Sequence, residues 1–184
     1  GRMLQVRVWT AKAGHISLFL LDTNVPANTE ADRAITHQLY GGDREMRLQQ
    51  ELVLGVGGVR ALRALGLRPS VWHINEGHAA FQLLERCRFR MHEDGLDFHS
   101  ALELVAGGTV FTTHTPVPAG HDIFDKHLID KYFGPMADSL GMALEDLYAI
   151  GANHGAGFNM TSLALRGSRF HNGVSRIHGR VASE

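Results

Sequence analysis

Hydrophobic and polar residues alternate along Leu4-Gln5-Val6-Arg7-Val8-Trp9 and again from His15 to Leu21, with Ala11 to Gly14 between them. A period of two on either side of a short glycine-containing turn predicts an antiparallel β-hairpin, and Asp22-Thr23-Asn24 ends it. From Asp43 the period changes. Leu48, Leu52, Val56, Val59 and Leu62 recur at helical spacing up to Leu65, with Asp43 placed as the N-cap and Gly66 as the C-cap.

Beyond Pro69, the run Ser70-Val71-Trp72-His73-Ile74 reads as a strand, Asn75-Glu76-Gly77 as a loop, and His78 to about Arg90 as a helix. The pattern then repeats: a helix over Asp97 to Val105, Gly107-Gly108, and a β-branched and aromatic strand, Thr109-Val110-Phe111-Thr112-Thr113, ending at His114. Further helices are predicted at Asp125 to Phe133, Ala143 to Ile150 and Phe158 to Arg166. A connection through Asn172-Gly173-Val174 then leads to a last helix into Glu184.

Strands separated by helices predict an α/β fold, with a partial Rossmann-like parallel sheet flanked by helices and an N-terminal β-hairpin. Ligands on such sheets gather beyond the carboxyl ends of the strands. Asn75-Glu76-Gly77-His78 and His114-Thr115-Pro116 both fall there.

Composition narrows the partners. The 184 residues, 44% hydrophobic and 20% charged, suffice for one domain with its own core. With 18 Lys plus Arg against 19 Asp plus Glu the net charge is -1, so neither nucleic acid nor an anionic membrane is an expected partner. The single cysteine, Cys87, cannot form an intrachain disulfide. No membrane-length apolar run and no signal-peptide pattern is present, so a cytoplasmic location is expected. The sequon Asn159-Met160-Thr161 then carries no sugar. Gly1-Arg2-Met3 leads straight into a strand and Val181-Ala182-Ser183-Glu184 stops within a helix, so both ends read as cut.

Twelve histidines raise a metal reading. His73 and His78 are five apart with the first on a strand, whereas zinc-binding helices place two histidines three or four apart on one face. Structural or substrate-contacting roles are expected for them instead, with no metal. His92 and His99 flank a solvated helix connection and receive no function. Gly55-Val56-Gly57-Gly58 has the composition of a phosphate loop but lies inside a helical pattern, where close helix packing is the better use. At the strand ends, His114, Thr115 and Asn75 can donate and accept, and Glu76 can accept two hydroxyl hydrogens, the inventory a neutral polyol needs. The same residues would serve equally as caps and loop-satisfying groups.

Four segments, in order along the chain, resemble those of the bacterial and archaeal α-glucan phosphorylases, the family of glycogen and maltodextrin phosphorylase. They are Leu39-Tyr40-Gly41-Gly42-Asp43-Arg44-Glu45-Met46-Arg47 running on to Glu51 and Leu54-Gly55-Val56-Gly57-Gly58; His73 to Phe81; Phe111 to Asp122; and Phe158-Asn159-Met160-Thr161 through Asn172-Gly173-Val174 to Gly179. The resemblance covers essentially the whole chain. It implies a GT-B glycosyltransferase fold of two facing Rossmann-like domains, with residues 1–184 as one segment in the later part of the N-terminal domain and the C-terminal pyridoxal phosphate domain outside it. It also implies transfer of a terminal glucosyl unit from an α-1,4-glucan or maltodextrin to inorganic phosphate.

By the same resemblance, His114 meets the glucosyl unit as the catalytic residue, with Thr115 beside it. Asn172, Gly173 and Val174 bring backbone to the sugar, and Glu76 and His78 line the pocket by the reactive carbon, next to Asn75. Animal and plant-type members carry aspartate and threonine where this chain has Glu76 and Gly77. Lys12, Lys126 and Lys131 are the only lysines and none sits in a cofactor-lysine context, so the chain alone is expected to be inactive. A nucleotide-sugar-dependent glucan synthase and a non-catalytic carbohydrate-binding domain are the alternative readings.

Overall fold

A computed structural model describes residues 2–114, 122–152, 157–175 and Gly179. The hairpin forms, with strands β1 (Arg7–Ala13) and β2 (Ile16–Asp22) paired antiparallel. Its turn is only Gly14-His15, with Gly14 at φ +61°, a conformation that suits a residue without a Cβ. Ala11-Lys12-Ala13, read from the sequence as turn, are therefore strand. Small residues signal no strand by themselves; cross-strand pairing with Ile16-Ser17-Leu18 imposes it.

A short helix α1 (Glu30–Arg33) precedes the long helical stretch, which runs as α2 (Arg44–Leu52), a π-helical turn Val53–Gly57, and α3 (Gly58–Ala64). The Asp43 carboxylate accepts from the Met46 N–H at 2.9 Å, the N-cap read from the sequence. At the other end Gly66, φ +73°, and Leu67 donate back to Arg63 and Leu62, a glycine-closed helix end. The π turn seats Gly55 against the start of the next helical layer: a Cβ there would stand 2.9 Å from both the Gln82 nitrogen and Phe81 Cβ.

The strand-helix unit follows: β3 (Trp72–Asn75), a 3₁₀ turn Gly77–Ala79, α4 (Gln82–Asp94), α5 (Phe98–Gly107) and β4 (Thr109–Thr113). After β4 come β5 (Ile123–Phe124), α6 (Lys126–Ser139), α7 (Leu144–Gly151), β6 (Phe158–Asn159), α8 (Met160–Arg166) and β7 (Phe170–Gly173). Strands β3, β4 and β7 make a parallel sheet in that order, so the chain is α/β with a three-stranded parallel sheet, helices packed on it, and an antiparallel hairpin.

Two elements depart from the sequence reading. Phe158 and Asn159 pair with β5 rather than opening a helix; Asn159 instead caps α8, its Oδ1 accepting from the Thr161 and Ser162 N–H groups. Phe170–Gly173, read as part of a connection, is the third parallel strand. Its composition is poor in β-branched residues, and only its pairing to β4 makes it a strand. The last helix lies outside the described residues apart from Gly179, whose N–H donates to the Ser175 carbonyl at 2.8 Å.

The core forms where the sheet meets the helices. Register partners Ile74 and Phe111 are buried with Leu83, Leu84 and Cys87 of α4 and Ala101 and Val105 of α5. Phe81 stacks near Phe133 and Phe158, with centroids 4.7 and 5.9 Å away, which ties α6 and β6 into the same core. Burial pushes the Cys87 thiol up to about 12, so this cysteine packs as a small hydrophobe. Among the described residues no helix is long and apolar enough to cross a membrane.

Candidate functional site

Because β4 is the central strand, its carboxyl end opens between those of β3 and β7. The register sets Asn75, Thr112 and Asn172 abreast, with Gly173 beside Thr113. Three segments far apart in the chain are thus brought to one edge, and His114 stands at its middle. The imidazole Nε2 of His114 lies 2.6 Å from Asn75 Oδ1. Thr112 Oγ1 donates to Asn172 Oδ1 at 2.9 Å and lies 2.7 Å from His73 Nε2, which ties His73 to the sheet edge. His114, Asn75, Asn172 and Val174 are exposed, and the edge offers solvent both donors and acceptors. Thr115, the remaining sequence-predicted contact on this edge, lies outside the described residues.

Glu76 is different: it is buried, and its carboxylate accepts from the backbone N–H of His114. It takes φ +61°, a region costly for a residue with a Cβ. Tyr40, at φ +57°, is the other non-glycine residue with positive φ among those described. Both adjoin the same place. The Tyr40 ring centroid is 5.4 Å from that of His78 and 4.9 Å from the Arg47 guanidinium carbon.

His78, on the 3₁₀ turn after Glu76, faces a cluster of charges rather than the sheet edge. Its Nδ1 is 3.0 Å from Asp122 Oδ2 and 3.6 Å from Glu51 Oε1. Arg47 Nη2 donates to Glu51 Oε1 at 2.9 Å and to Asp122 Oδ2 at 3.0 Å. Hydrogen bonding to Asp122, and then to Glu51, raises the His78 pKa to about 9, so the imidazole is a cation at neutral pH. Burial pushes Glu51 up to about 8, which keeps it protonated there. Burial acts to raise Asp122 too, but the hydrogen bond from His78 and the Arg47 charge outweigh it and hold this carboxyl well below the usual range. Glu51, His78 and Asp122 bring ligand atoms within 4.8 Å of one another, the geometry of a metal site. The Arg47 guanidinium stands between the two acidic side chains and counters the Asp122 charge.

Sequence reasoning gave His78 a pocket-lining role and gave Arg47, Glu51 and Asp122 none. The available signal was weak: Arg47 and Glu51 are an i, i+4 pair of opposite sign, which reads as a solvated helix face. That Glu51 is only 1% exposed depends on what packs over it.

The chain is thus an α/β protein whose parallel sheet gathers a histidine, two asparagines and a glycine at its carboxyl edge, the edge where ligands of such sheets generally bind. No protein-family model matches the chain. It is 43% identical over 192 residues to the glycogen phosphorylase of Mycobacterium tuberculosis strain H37Rv, covering 98% of this chain and 22% of that protein. Identity to the maltodextrin phosphorylase of Thermococcus litoralis is also 43%, over 183 residues, 100% of this chain and 22% of that protein. The glycogen phosphorylase of Aquifex aeolicus is 36% identical over 180 residues, 96% of this chain and 26% of its own length. The chain is a homologue of the glycogen and maltodextrin phosphorylases and spans 22 to 26% of the length of these relatives.

Proposed function

We propose that the chain is part of an α-1,4-glucan phosphorylase, which transfers the terminal glucosyl unit of a glucan or maltodextrin to inorganic phosphate and releases α-glucose 1-phosphate with retention of configuration. The observation that carries this reading is the 43% identity to curated phosphorylases over 98 to 100% of the chain. In this reading the parallel sheet belongs to the N-terminal half of a GT-B pair of domains, in a cytoplasmic enzyme, and its carboxyl edge forms one wall of the cleft.

His114 is the catalytic residue, with its side chain at the sugar 6-hydroxyl and its backbone carbonyl near the anomeric carbon. A carbonyl dipole there favours developing oxocarbenium charge. Asn75, Thr115 and Asn172 supply hydrogen bonds to sugar hydroxyls, and the backbone at Gly173 and Val174 comes close to the ring because Gly173 has no Cβ. Glu76 is not the general acid, since its carboxylate is committed to the His114 amide. The reaction draws its proton from phosphate, unlike the carboxyl pairs of glycoside hydrolases.

Pyridoxal phosphate, the cofactor the resemblance implies, does not fit the lysines of this chain. Lys126 pairs with Asp130 at 2.7 Å, Lys131 with Glu45 at 2.6 Å, and Lys12 donates to Ser17 at 2.6 Å, all on the surface. The groups that hold it belong to other parts of the whole enzyme, and the 184-residue chain by itself is inactive.

The test uses the full-length protein loaded with pyridoxal phosphate, with maltodextrin and inorganic phosphate as substrates. It is expected to release glucose 1-phosphate, and His114→Ala is expected to lower kcat by roughly 100-fold or more. Chain extension from ADP-glucose without phosphorolysis would assign it to the glucan synthases. Maltodextrin binding with neither activity would make it a binding domain.

A further inference from the structure

His114 closes β4, and the next described residue, Asp122, opens the approach to β5; seven residues, 115–121, join them in sequence. Both flanks of that connection are gripped from the same short turn. On the near flank Glu76 accepts from the His114 N–H, while Asn75, one residue earlier, meets the His114 imidazole at 2.6 Å. On the far flank His78, two residues after Glu76, meets Asp122 at 3.0 Å.

The turn itself is fixed from behind. A Cβ on Gly77 would stand 2.8 Å from Met160 Cβ and 3.2 Å from the Met160 carbonyl carbon, so the turn lies flush on the start of α8. The Glu76 N–H donates to the Thr112 carbonyl at 2.9 Å, which locks it to the central strand. Arg47 adds a second hold on Asp122 at 3.0 Å and is itself braced by Glu51 at 2.9 Å. The left-handed backbone at Glu76 persists only where surrounding contacts over-determine it, and these are such contacts.

We propose that the turn from Glu76 to Ala79, together with Arg47 and Asp122, is a clip that sets the position of His114, so that Glu76, His78, Arg47 and Asp122 are positioning residues rather than sugar contacts. The inference rests on the reading of His114 as the residue that meets the glucosyl unit. The clip follows from how the polar atoms are spent. The Asp122 Oδ2 that faces the cluster takes both Arg47 and His78, and a Glu76 oxygen takes the amide of His114. Each interaction ends on protein and acts at a flank of the segment that starts from the catalytic position.

The experiment is a double-mutant cycle in the full-length protein, with phosphorolysis of maltodextrin as the readout. Displacing a reacting group by about 1 Å costs on the order of 100-fold in rate. Asp122→Asn, close in shape to the original, is therefore expected to lower kcat/KM for maltodextrin by about 10- to 100-fold, with KM for inorganic phosphate unchanged. On a His114→Ala background the same substitution is expected to cost several-fold less than on the parent, because the share of the clip's effect carried by the imidazole is already gone while the share carried by the backbone carbonyl remains. His78→Gln carries the same expectation should Asp122→Asn fail to fold. Equal losses on both backgrounds, or activity within about twofold of the parent when His114 is intact, would overturn the clip while leaving the phosphorylase reading in place. A parent protein that releases no glucose 1-phosphate overturns that reading and the clip with it.

Discussion

Glu51 has one carboxyl oxygen 2.9 Å from Arg47 and the other buried with no partner among the described residues. Burial moves its pKa from 4.5 to about 8, and the hydrogen bonds to Asp122 and Glu51 move that of His78 from 6.5 to about 9. At these two groups the folded chain binds more protons than the unfolded one over that span. Their contribution to stability is therefore complete below the unfolded pKa values and is lost as pH rises through the folded ones. Asp122 has the opposite sign: its lowered pKa gives stability that is present above 3.8 and lost on acidification. The thermal midpoint, followed by circular dichroism, is accordingly expected to fall between pH 6.5 and 9. Glu51→Gln, which cannot ionise, should remove part of that fall below about pH 8. An unchanged slope in the variant would show that Glu51 is already ionised at neutral pH.

At this scale the sequence named the sheet-edge residues but not their partners. Histidine, asparagine and glutamate after predicted strands were visible as ligand-capable groups. That Glu76 points its carboxylate at the His114 amide, or that His78 turns toward Asp122, depends on backbone dihedrals and on residues 38 and 44 positions away.

The elements divide along the same line. Helices α2 to α5 and strand β4 were legible because each carries its own signal: a capping aspartate, apolar spacing, a β-branched run. Strand β7 was not, since Phe170-His171-Asn172-Gly173 holds no β-branched residue, nor was the β5–β6 pair, whose two-residue strands contain too little alternation to register. The glycine run between α2 and α3 shows what composition alone does not tell: Gly55 seats a helix against the start of α4. Gly55→Ala would drive a Cβ to 2.9 Å from the Gln82 nitrogen and is expected to destabilise by about 1–3 kcal/mol. Gly58→Ala, with nothing within 4 Å, should stabilise by about 0.5–1 kcal/mol through higher helix propensity. Urea denaturation midpoints of the two variants check the pair; shifts of the same sign would mean that the π turn relaxes to make room.

At the scale of the whole molecule, one face of the hairpin is uncovered. Trp9, Ile16, Leu18 and Leu20 are 51, 51, 44 and 54% exposed, and the pairing of Trp9 with Leu20, Ala11 with Leu18 and Ala13 with Ile16 sets them side by side. Soluble monomers seldom show contiguous apolar faces of this kind. The 184-residue chain on its own is therefore expected to self-associate in light scattering, and Leu18→Lys with Leu20→Lys to reduce the associated fraction. Monodisperse behaviour of the unmodified chain would show that the face tolerates water.

Local chemistry is written in consecutive residues, so the sequence by itself determined the α/β class, the hairpin, the capped helices and the set of polar residues at the strand ends. The tertiary structure alone decided three things: which strand lies in the middle, that Asn75, His114 and Asn172-Gly173 share one edge, and that Arg47, His78 and Asp122 form one partly buried cluster around the buried Glu51. Those are long-range pairings. They are fixed by register, by the volume of the core and by the low-dielectric surroundings in which a charge must find a partner, and none of these is a property of any short stretch of chain.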